Sequence, residues 1–116
     1  MRLDTIVIDC RDKHALAEFW CAVLGTTVRG EIAQYLGLHP TQEGGVRLVF
    51  QQVEDLEERR QKGRLHLDLD THDLEADTAR AIALGATVES DRQELGMHWR
   101  TLRDPEGNLF CICQEA

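Results

Sequence analysis

Residues 64–87 decide the fold, because the N-terminal part of the chain repeats their pattern. They read Arg-Leu-His-Leu-Asp-Leu-Asp-Thr-His-Asp-Leu-Glu-Ala-Asp-Thr-Ala-Arg-Ala-Ile-Ala-Leu-Gly-Ala-Thr. An alternating segment leads to Asp73, which can cap a helix, and Gly85 closes that helix. The same order occurs earlier, and Asp73 follows Asp12 by 61 residues while Gly85 follows Gly25 by 60. Two copies of about 55 residues indicate an internally duplicated domain rather than a solenoid of short repeats.

The length and composition limit the classes of protein to which the chain can belong. Its 116 residues fit one compact domain, and 42% hydrophobic with 29% charged residues is ordinary for a globular protein. The formal net charge of -8 argues against binding to nucleic acid or to an anionic membrane, because both need a basic surface. No apolar run approaches the ~20 residues of a membrane span, so we expect a cytoplasmic protein.

Each copy is predicted to contain a strand, a helix and about three further strands. We expect repeat 1 at about 1–53, a charged linker at about 54–63 and repeat 2 at about 64–116, all within a single domain, 1–116. The predicted helices run from about Lys13 to Leu24 and from Asp73 to about Leu84. The predicted strands are 3–10, one or two within 28–39, 46–53, 65–70, 87–90, 97–103 and 109–113.

The apolar spacing predicts which face of each element is buried. In the first helix, the spacing of Leu16, Phe19, Trp20, Val23 and Leu24 predicts one buried stripe. In the strand at 65–70, the leucines alternate with polar residues, so Leu65 and Leu67 are expected to point toward the helices. The polar residues should then occupy the other face, and a shift of one residue would exchange the two sets.

The four cysteines are predicted to be reduced thiols. Cys10, Cys21, Cys111 and Cys113 form no Cys-x-x-Cys pair, and the chain begins with no secretion signal. Free cysteine packs as a small hydrophobic residue. A metal or redox role remains an open alternative.

The paired plan resembles that of a known superfamily. The segments Ala-Leu-Ala-Glu-Phe-Trp-Cys-Ala-Val-Leu-Gly, Phe-Gln-Gln-Val, Arg-Leu-His-Leu-Asp-Leu and Asp-Pro-Glu-Gly-Asn-Leu-Phe-Cys occur in this order. They resemble the glyoxalase/bleomycin-resistance/dioxygenase group, the vicinal oxygen chelate superfamily, and in particular its small bacterial glyoxalase-like proteins. The resemblance implies an α+β fold in which two βαβββ modules form a curved mixed sheet with a ligand cup and helices outside. It also implies a homodimer.

The resemblance implies four positions at which metal-dependent members carry a ligand. Here those positions hold Thr5, His66, Cys111 and either Val49 or Gln51. His66 is the one ordinary ligand at its expected position, and threonine, valine or glutamine are poor partners for a tightly held divalent ion. We therefore expect no cofactor and no tightly bound metal, although a divalent metal held by His66 with Asp68 is possible.

The candidate site follows from the same strand faces. His66 can be a metal or catalytic ligand, a metal-free contact to a ligand, or a structural residue, and these three interpretations stay open. Before the last hairpin, Trp99 could stack on a planar ligand, and Arg100 could hold an anion. The predicted residues of the ligand-binding cup are Thr5, Gln51, His66, Asp68, Trp99 and Cys111.

Two classes of function are compatible with these residues. The first is a glyoxalase/bleomycin-resistance-like protein that binds a cationic or polar small molecule without metal. The second is a metal-dependent lyase, isomerase or dioxygenase that uses His66, with the ion as a Lewis acid. The first is preferred, and whether a reaction is catalysed is not decided by the sequence.

Overall fold

The computed structural model of the chain describes residues 1–56 and 64–115, so most of the predicted charged linker, 57–63, lies outside the described residues. The described residues form eight strands and two helices. In chain order these are β1 (Arg2–Cys10), α1 (Lys13–Leu24), β2 (Val28–Ile32), β3 (Tyr35–Leu38), β4 (Arg47–Gln52), β5 (Leu65–Asp70), α2 (Leu74–Ala83), β6 (Thr87–Glu94), β7 (Met97–Arg103) and β8 (Leu109–Glu115).

The chain divides into two compact units that follow the predicted repeats. The N-terminal unit is Thr5–Leu65, and the C-terminal unit is His66–Ala116 with Met1–Asp4. Each has the order strand, helix and three strands, so the predicted α+β fold built from two βαβββ modules is confirmed. That the two modules make one domain stays a prediction. Within the described residues, neither helix is long and apolar enough to cross a bilayer.

In the N-terminal unit the strand order is β2-β3-β4-β1. β1 runs parallel to β4, and β3 is antiparallel to both β2 and β4. The helix α1 packs on one face of these strands, where Phe50 and Leu38 are 0% and 1% exposed. The buried cluster on this face consists of Cys10, Ala17, Leu36, Leu38 and Phe50.

The C-terminal unit repeats this arrangement with the order β5-β8-β7-β6. β5 is parallel to β8, and the pairs β8–β7 and β7–β6 are antiparallel. α2 covers the face that carries Leu102 and Ile112, both fully buried. The predicted strand at 87–90 is longer than expected, because β6 and β7 form a hairpin that turns at Leu95 and Gly96. Both turn residues have positive φ, at 54° and 75°, as a two-residue turn of this hand requires.

Both helices begin in the same way. Asp12 and Asp73 accept a hydrogen bond from the amide three residues later, at 3.1 and 3.0 Å, as the caps predicted from the sequence should. A glutamine at the end of β4 or β8 adds a second cap: Gln52 and Gln114 accept from the first helical amide at 3.2 and 2.7 Å. In both repeats, therefore, the same kind of hydrogen bond joins the start of the helix to the last strand of the repeat.

The predicted buried stripe of α1 is wrong in part. Leu16 and Trp20 pack against the core, but Phe19 and Val23 are each 57% exposed. The helix instead approaches the strands at Ala17, which is 2% exposed and has a side chain small enough to allow close packing. The buried face is thus rotated away from the largest apolar residues.

The predicted burial of two leucines in β5 is also wrong. Leu65 and Leu67 are 59% and 41% exposed, whereas Ile112 on β8 is fully buried. The reason lies in the position of α2, which packs on β8. The alternation along β5 therefore predicts which side chains share a face, but it does not predict how much of that face a helix covers.

Candidate functional site

A cluster of polar side chains lies on the face of the C-terminal unit opposite α2. The parallel register of β5 and β8 places Asp68 beside Cys111, and the antiparallel register of β7 and β8 places Thr101 on the other side of Cys111. His66 precedes Asp68 by two residues and so occupies the same face. Three neighbouring strands thus bring these four side chains together.

The distances within this cluster are those of direct contact. His66 Nε2 lies 3.4 Å from Asp68 Oδ1, and Thr101 Oγ1 lies 3.4 Å from Cys111 Sγ. One ligand atom from each of His66, Asp68 and Cys111 lies within 4.8 Å of the others. Their side chains are partly withdrawn from water, with 19% of His66 and 28% of Asp68 exposed, and Cys111 is 7% exposed.

The environment of His66 stabilises its protonated form. Burial by itself lowers the pKa of His66, but interactions with Asp68 and Cys111 outweigh this effect and raise the pKa to about 10. Asp68 Oδ1 is buried and accepts no hydrogen bond of ordinary geometry from the described residues, so its 3.4 Å contact with His66 Nε2 is an ion pair. At neutral pH the cluster therefore contains an imidazolium beside a carboxylate.

A second row of side chains continues this face. Asp70 pairs with Cys113 across β5 and β8, and Cys113 pairs with Trp99 across β8 and β7. All three are half-buried. Burial, followed by the negative charge of Asp68 and the neighbouring Cys111, raises the pKa of the Cys113 thiol. The side chain of Asp70 makes no hydrogen bond or ion pair with the described part of the chain.

The structure places the predicted site residues in two groups. His66, Asp68, Trp99 and Cys111 share one face of the C-terminal unit. Thr5 and Gln51 belong to the N-terminal unit, where their strands β1 and β4 are parallel neighbours and both side chains lie on the face away from α1. Gln51 donates a hydrogen bond of 3.3 Å to the hydroxyl of Tyr35. That the two groups form one cup stays a prediction.

Arg100, which the sequence suggests as an anion ligand, lies on the opposite face together with His98. Arg100 donates to Asp91 at 2.8 Å and also to Glu75 on α2, and His98 lies 2.6 Å from Asp91. Arg100 therefore links α2 to the β6–β7 hairpin and has its charge already satisfied. The suggestion that it holds an anion finds no support in this arrangement.

Sequence reasoning placed Asp70 on this face, by its alternation with Leu69, but missed two further residues. Thr101 and Cys113 join the face only through the pairing of β8 with β7. Such residues can be found only when the pairing register of neighbouring strands is known. Cross-strand pairs are not visible in one segment of sequence.

Three side chains of this cluster are of the types that bind a divalent ion. Tetrahedral zinc with ordinary bond lengths keeps its ligand atoms about 3.5 Å apart, and the 3.4 Å between His66 Nε2 and Asp68 Oδ1 fits that value. Imidazole, carboxylate and thiolate are suitable ligands, and three of them leave one position open. His66, Asp68 and Cys111 could therefore hold one ion, once the imidazolium and the thiol have lost their protons.

A family model that covers most of the chain identifies its family. The model of the glyoxalase-like domain family matches residues 5–113. The chain belongs to this family. No curated protein matches it.

Solved structures agree with this glyoxalase-like assignment. A methylmalonyl-CoA epimerase in complex with methylmalonyl-CoA and NH4+ is 26% identical, with a TM-score of 0.71 over 99% of this chain and 94% of that one. A variant of the Streptomyces coelicolor methylmalonyl-CoA epimerase in complex with 2-nitronate-propionyl-CoA is 25% identical, with a TM-score of 0.74 over 100% and 95%.

A third similar structure is the glyoxalase/bleomycin resistance protein/dioxygenase superfamily member from Vibrio splendidus 12B01. It is 18% identical, with a TM-score of 0.67 over 96% of this chain and 97% of that one. At that identity the likeness concerns the fold alone. The glyoxalase-like fold hosts many activities, so the function has to be argued from the side chains.

Proposed function

We propose that this glyoxalase-like protein binds a small molecule carrying a positive charge, without a tightly bound metal, on the face that carries His66 and Asp68. The observation that supports this most strongly is the half-buried carboxylate of Asp70, in the row beside the His66–Asp68 ion pair. Asp70 has no ionic partner within the described residues. A half-buried carboxylate without a partner favours a cationic group that arrives with a ligand.

Trp99 completes the proposed binding surface. It shares the face and the row of Asp70, two strands away, with Cys113 between them. Strands are about 4.8 Å apart, so the two side chains begin about 10 Å from each other. A ligand with an ammonium group near Asp70 and a planar apolar part near Trp99 would satisfy both residues.

The ion pair of His66 and Asp68 determines which charge of this surface remains available to a ligand. Because His66 is held as an imidazolium, it neutralises Asp68 and competes with any metal ion for the same nitrogen. Asp70 then carries the charge that remains available to a ligand. This is why a metal-free binding function is preferred over metal-dependent catalysis.

Binding of an aromatic amine is the direct test. Phenethylamine should perturb the indole N–H signal of Trp99 in NMR titrations, whereas phenylacetate, which has the opposite charge, should not. Asp70→Asn should weaken phenethylamine binding by at least about tenfold, because the hydrogen bond from the ammonium group would no longer reach an ionised acceptor. Glu106→Gln, the same change of charge at an exposed turn, is the control. Equal affinity in wild type and Asp70→Asn would contradict the proposal.

The second candidate function is a metal-dependent lyase, isomerase or dioxygenase. It is favoured by the spacing of the ligand atoms of His66, Asp68 and Cys111 and by the likeness to epimerases of 25–26% identity. A bound ion would act as a Lewis acid toward substrate oxygens.

Metal analysis separates the two candidates. Untagged protein prepared without chelators should contain much less than one divalent ion per chain, because an ion would have to displace the proton of His66 and break its ion pair with Asp68. One tightly bound ion per chain, lost in Cys111→Ser and retained in Cys21→Ser, would reject the metal-free proposal and support the enzyme. The Cys21 thiol lies in the other unit and serves as the matched control.

The proposal includes a cytoplasmic location and a homodimer, with no nucleic acid or membrane partner. The acidic net charge of -8 supports the exclusion of polyanionic partners.

A further inference from the structure

The row that contains Asp70 and Trp99 extends by one more strand. Arg92 on β6 pairs with Trp99 on β7. On its other side Trp99 pairs with Cys113, which in turn pairs with Asp70. Residues directly opposite each other in neighbouring strands share a face of the sheet. The four side chains therefore form one row across the four strands of the C-terminal unit, on the face away from α2.

This row has a negative charge at one end and a positive charge at the other. The carboxylate of Asp70 is half-buried and makes no hydrogen bond or ion pair with the described residues. Arg92 carries its charge at every physiological pH. Neighbouring strands lie about 4.8 Å apart, so the Cα atoms of the two residues are separated by about 14 Å. Trp99 lies between the two charges.

The guanidinium of Arg92 has donors available for a ligand. Its ion pair within the described residues is with Glu94, and the N···O distance of 3.8 Å is too long for a hydrogen bond. The side chains are 64% and 53% exposed, so water screens this pair and it contributes little to stability. A guanidinium presents several N–H groups in a planar fork that matches a carboxylate. A carboxylate of a ligand can therefore bind Arg92 without breaking a strong contact.

The other basic side chains that the strands of this unit carry on the same face are already engaged. Arg103 donates a hydrogen bond to Glu89 at 2.5 Å and another to the carbonyl oxygen of Gly107 at 2.6 Å. The imidazolium of His66 forms the ion pair with Asp68. Arg92 is thus the positive charge of this face that is best able to accept a new partner.

The equivalent row of the N-terminal unit lacks the positive end. There Asp9 pairs with Gln51, Gln51 with Tyr35, and Tyr35 with Ile32. An acid and an aromatic residue recur in the same order, but an isoleucine stands where the C-terminal unit has Arg92. The arginine is therefore not part of the duplicated framework, and its position in the row needs a separate explanation.

We propose that the ligand of this site is dipolar, with an ammonium group at Asp70, a planar ring beside Trp99 and a carboxylate at Arg92. The ligand class is that of amino acids in which an aromatic ring separates the amine from the carboxylate. This inference rests on the proposed function and narrows it from any aromatic amine to a zwitterion. The two opposite charges of the row also determine the direction in which the ligand lies across the strands.

Adding a carboxylate to the aromatic amine tests the positive end of the row. The probe para-carboxyphenethylamine has the amine and the ring of phenethylamine, and it carries a carboxylate at the opposite end of the ring. It should bind wild type about fivefold more tightly than phenethylamine, which is the gain expected from an ion pair at an exposed side chain. NMR titration of the indole N–H signal of Trp99 gives both dissociation constants.

Two arginine variants show whether the gain comes from Arg92. In Arg92→Gln the two ligands should bind with equal affinity, because the carboxylate then meets a neutral side chain. Arg80→Gln is the matched control, since Arg80 is 62% exposed and lies 3.8 Å from Asp77, but stands on α2. This variant makes the same change of charge away from the site and should keep the fivefold gain.

The possible results distinguish this inference from the proposed function. A gain that is lost in Arg92→Gln and kept in Arg80→Gln supports the dipolar ligand. Equal or weaker binding of para-carboxyphenethylamine to wild type, a gain that persists in Arg92→Gln, or an equal loss in both variants would overturn it. In those cases binding of phenethylamine, and with it the proposed function, still stands. Binding of neither ligand would reject both.

Discussion

The free energy of unfolding of the wild-type chain should fall by a few kcal/mol as the pH rises from about 7 to about 10, and His66→Gln should remove most of this fall. The pKa of His66 is raised to about 10 in the folded chain, whereas histidine in an unfolded chain titrates near 6.5. The folded state therefore binds the proton more tightly. The resulting stability is complete below about pH 6.5 and is lost as the pH passes through about 10.

Comparing wild type with His66→Gln separates the contribution of His66 to the pH dependence of stability from that of other titrating groups. The raised pKa of Cys113 also reduces stability at alkaline pH, because the unfolded thiol ionises first. That contribution is present in both chains, so the difference between them reports mainly the proton on His66. Urea denaturation at several pH values gives the free energies. Parallel curves for wild type and His66→Gln would show that the ion pair with Asp68 does not hold the proton.

Phe50→Ala should destabilise the N-terminal unit strongly, and Phe19→Ala should not. Phe50 is fully buried in the cluster with Leu36 and Leu38, so its removal leaves a cavity that costs about 3–5 kcal/mol. Phe19 is 57% exposed and makes an edge-to-face contact with Trp20 at a ring separation of 5.3 Å. We expect a loss of about 1 kcal/mol there.

Thermal and urea unfolding of the two variants measure this difference. The same side chain is removed at both sites, so most of the gap between them reports burial; the preference of alanine for helix over strand adds about 1 kcal/mol to it. Equal losses would mean that α1 packs through Phe19 after all, as the spacing of apolar residues in the sequence suggests. A shift in the Trp20 fluorescence maximum in Phe19→Ala serves as a check that the exposed ring pair exists.

The sequence is sufficient to predict which side chains share the face of the site, because side chains alternate between the two faces of a strand. Alternation in β5 puts His66 and Asp68 on one face, and the same rule in β8 selects Cys111 rather than Phe110. The structure places these three side chains together. Their ion pair and the raised pKa of His66 could not be predicted, because both depend on the distance between side chains and on burial.

The sequence by itself determined the duplication, both aspartate caps and the order of strands and helices, because these depend on local backbone preferences and on periodicity within a few residues. Only the tertiary structure decided that α1 packs through Ala17 instead of Phe19, that Asp70 stays unpaired within the described residues and that Arg92 lies in one row with Asp70. These features depend on which elements pack together and in which register. Such contacts join residues far apart in the chain, and no local pattern specifies them.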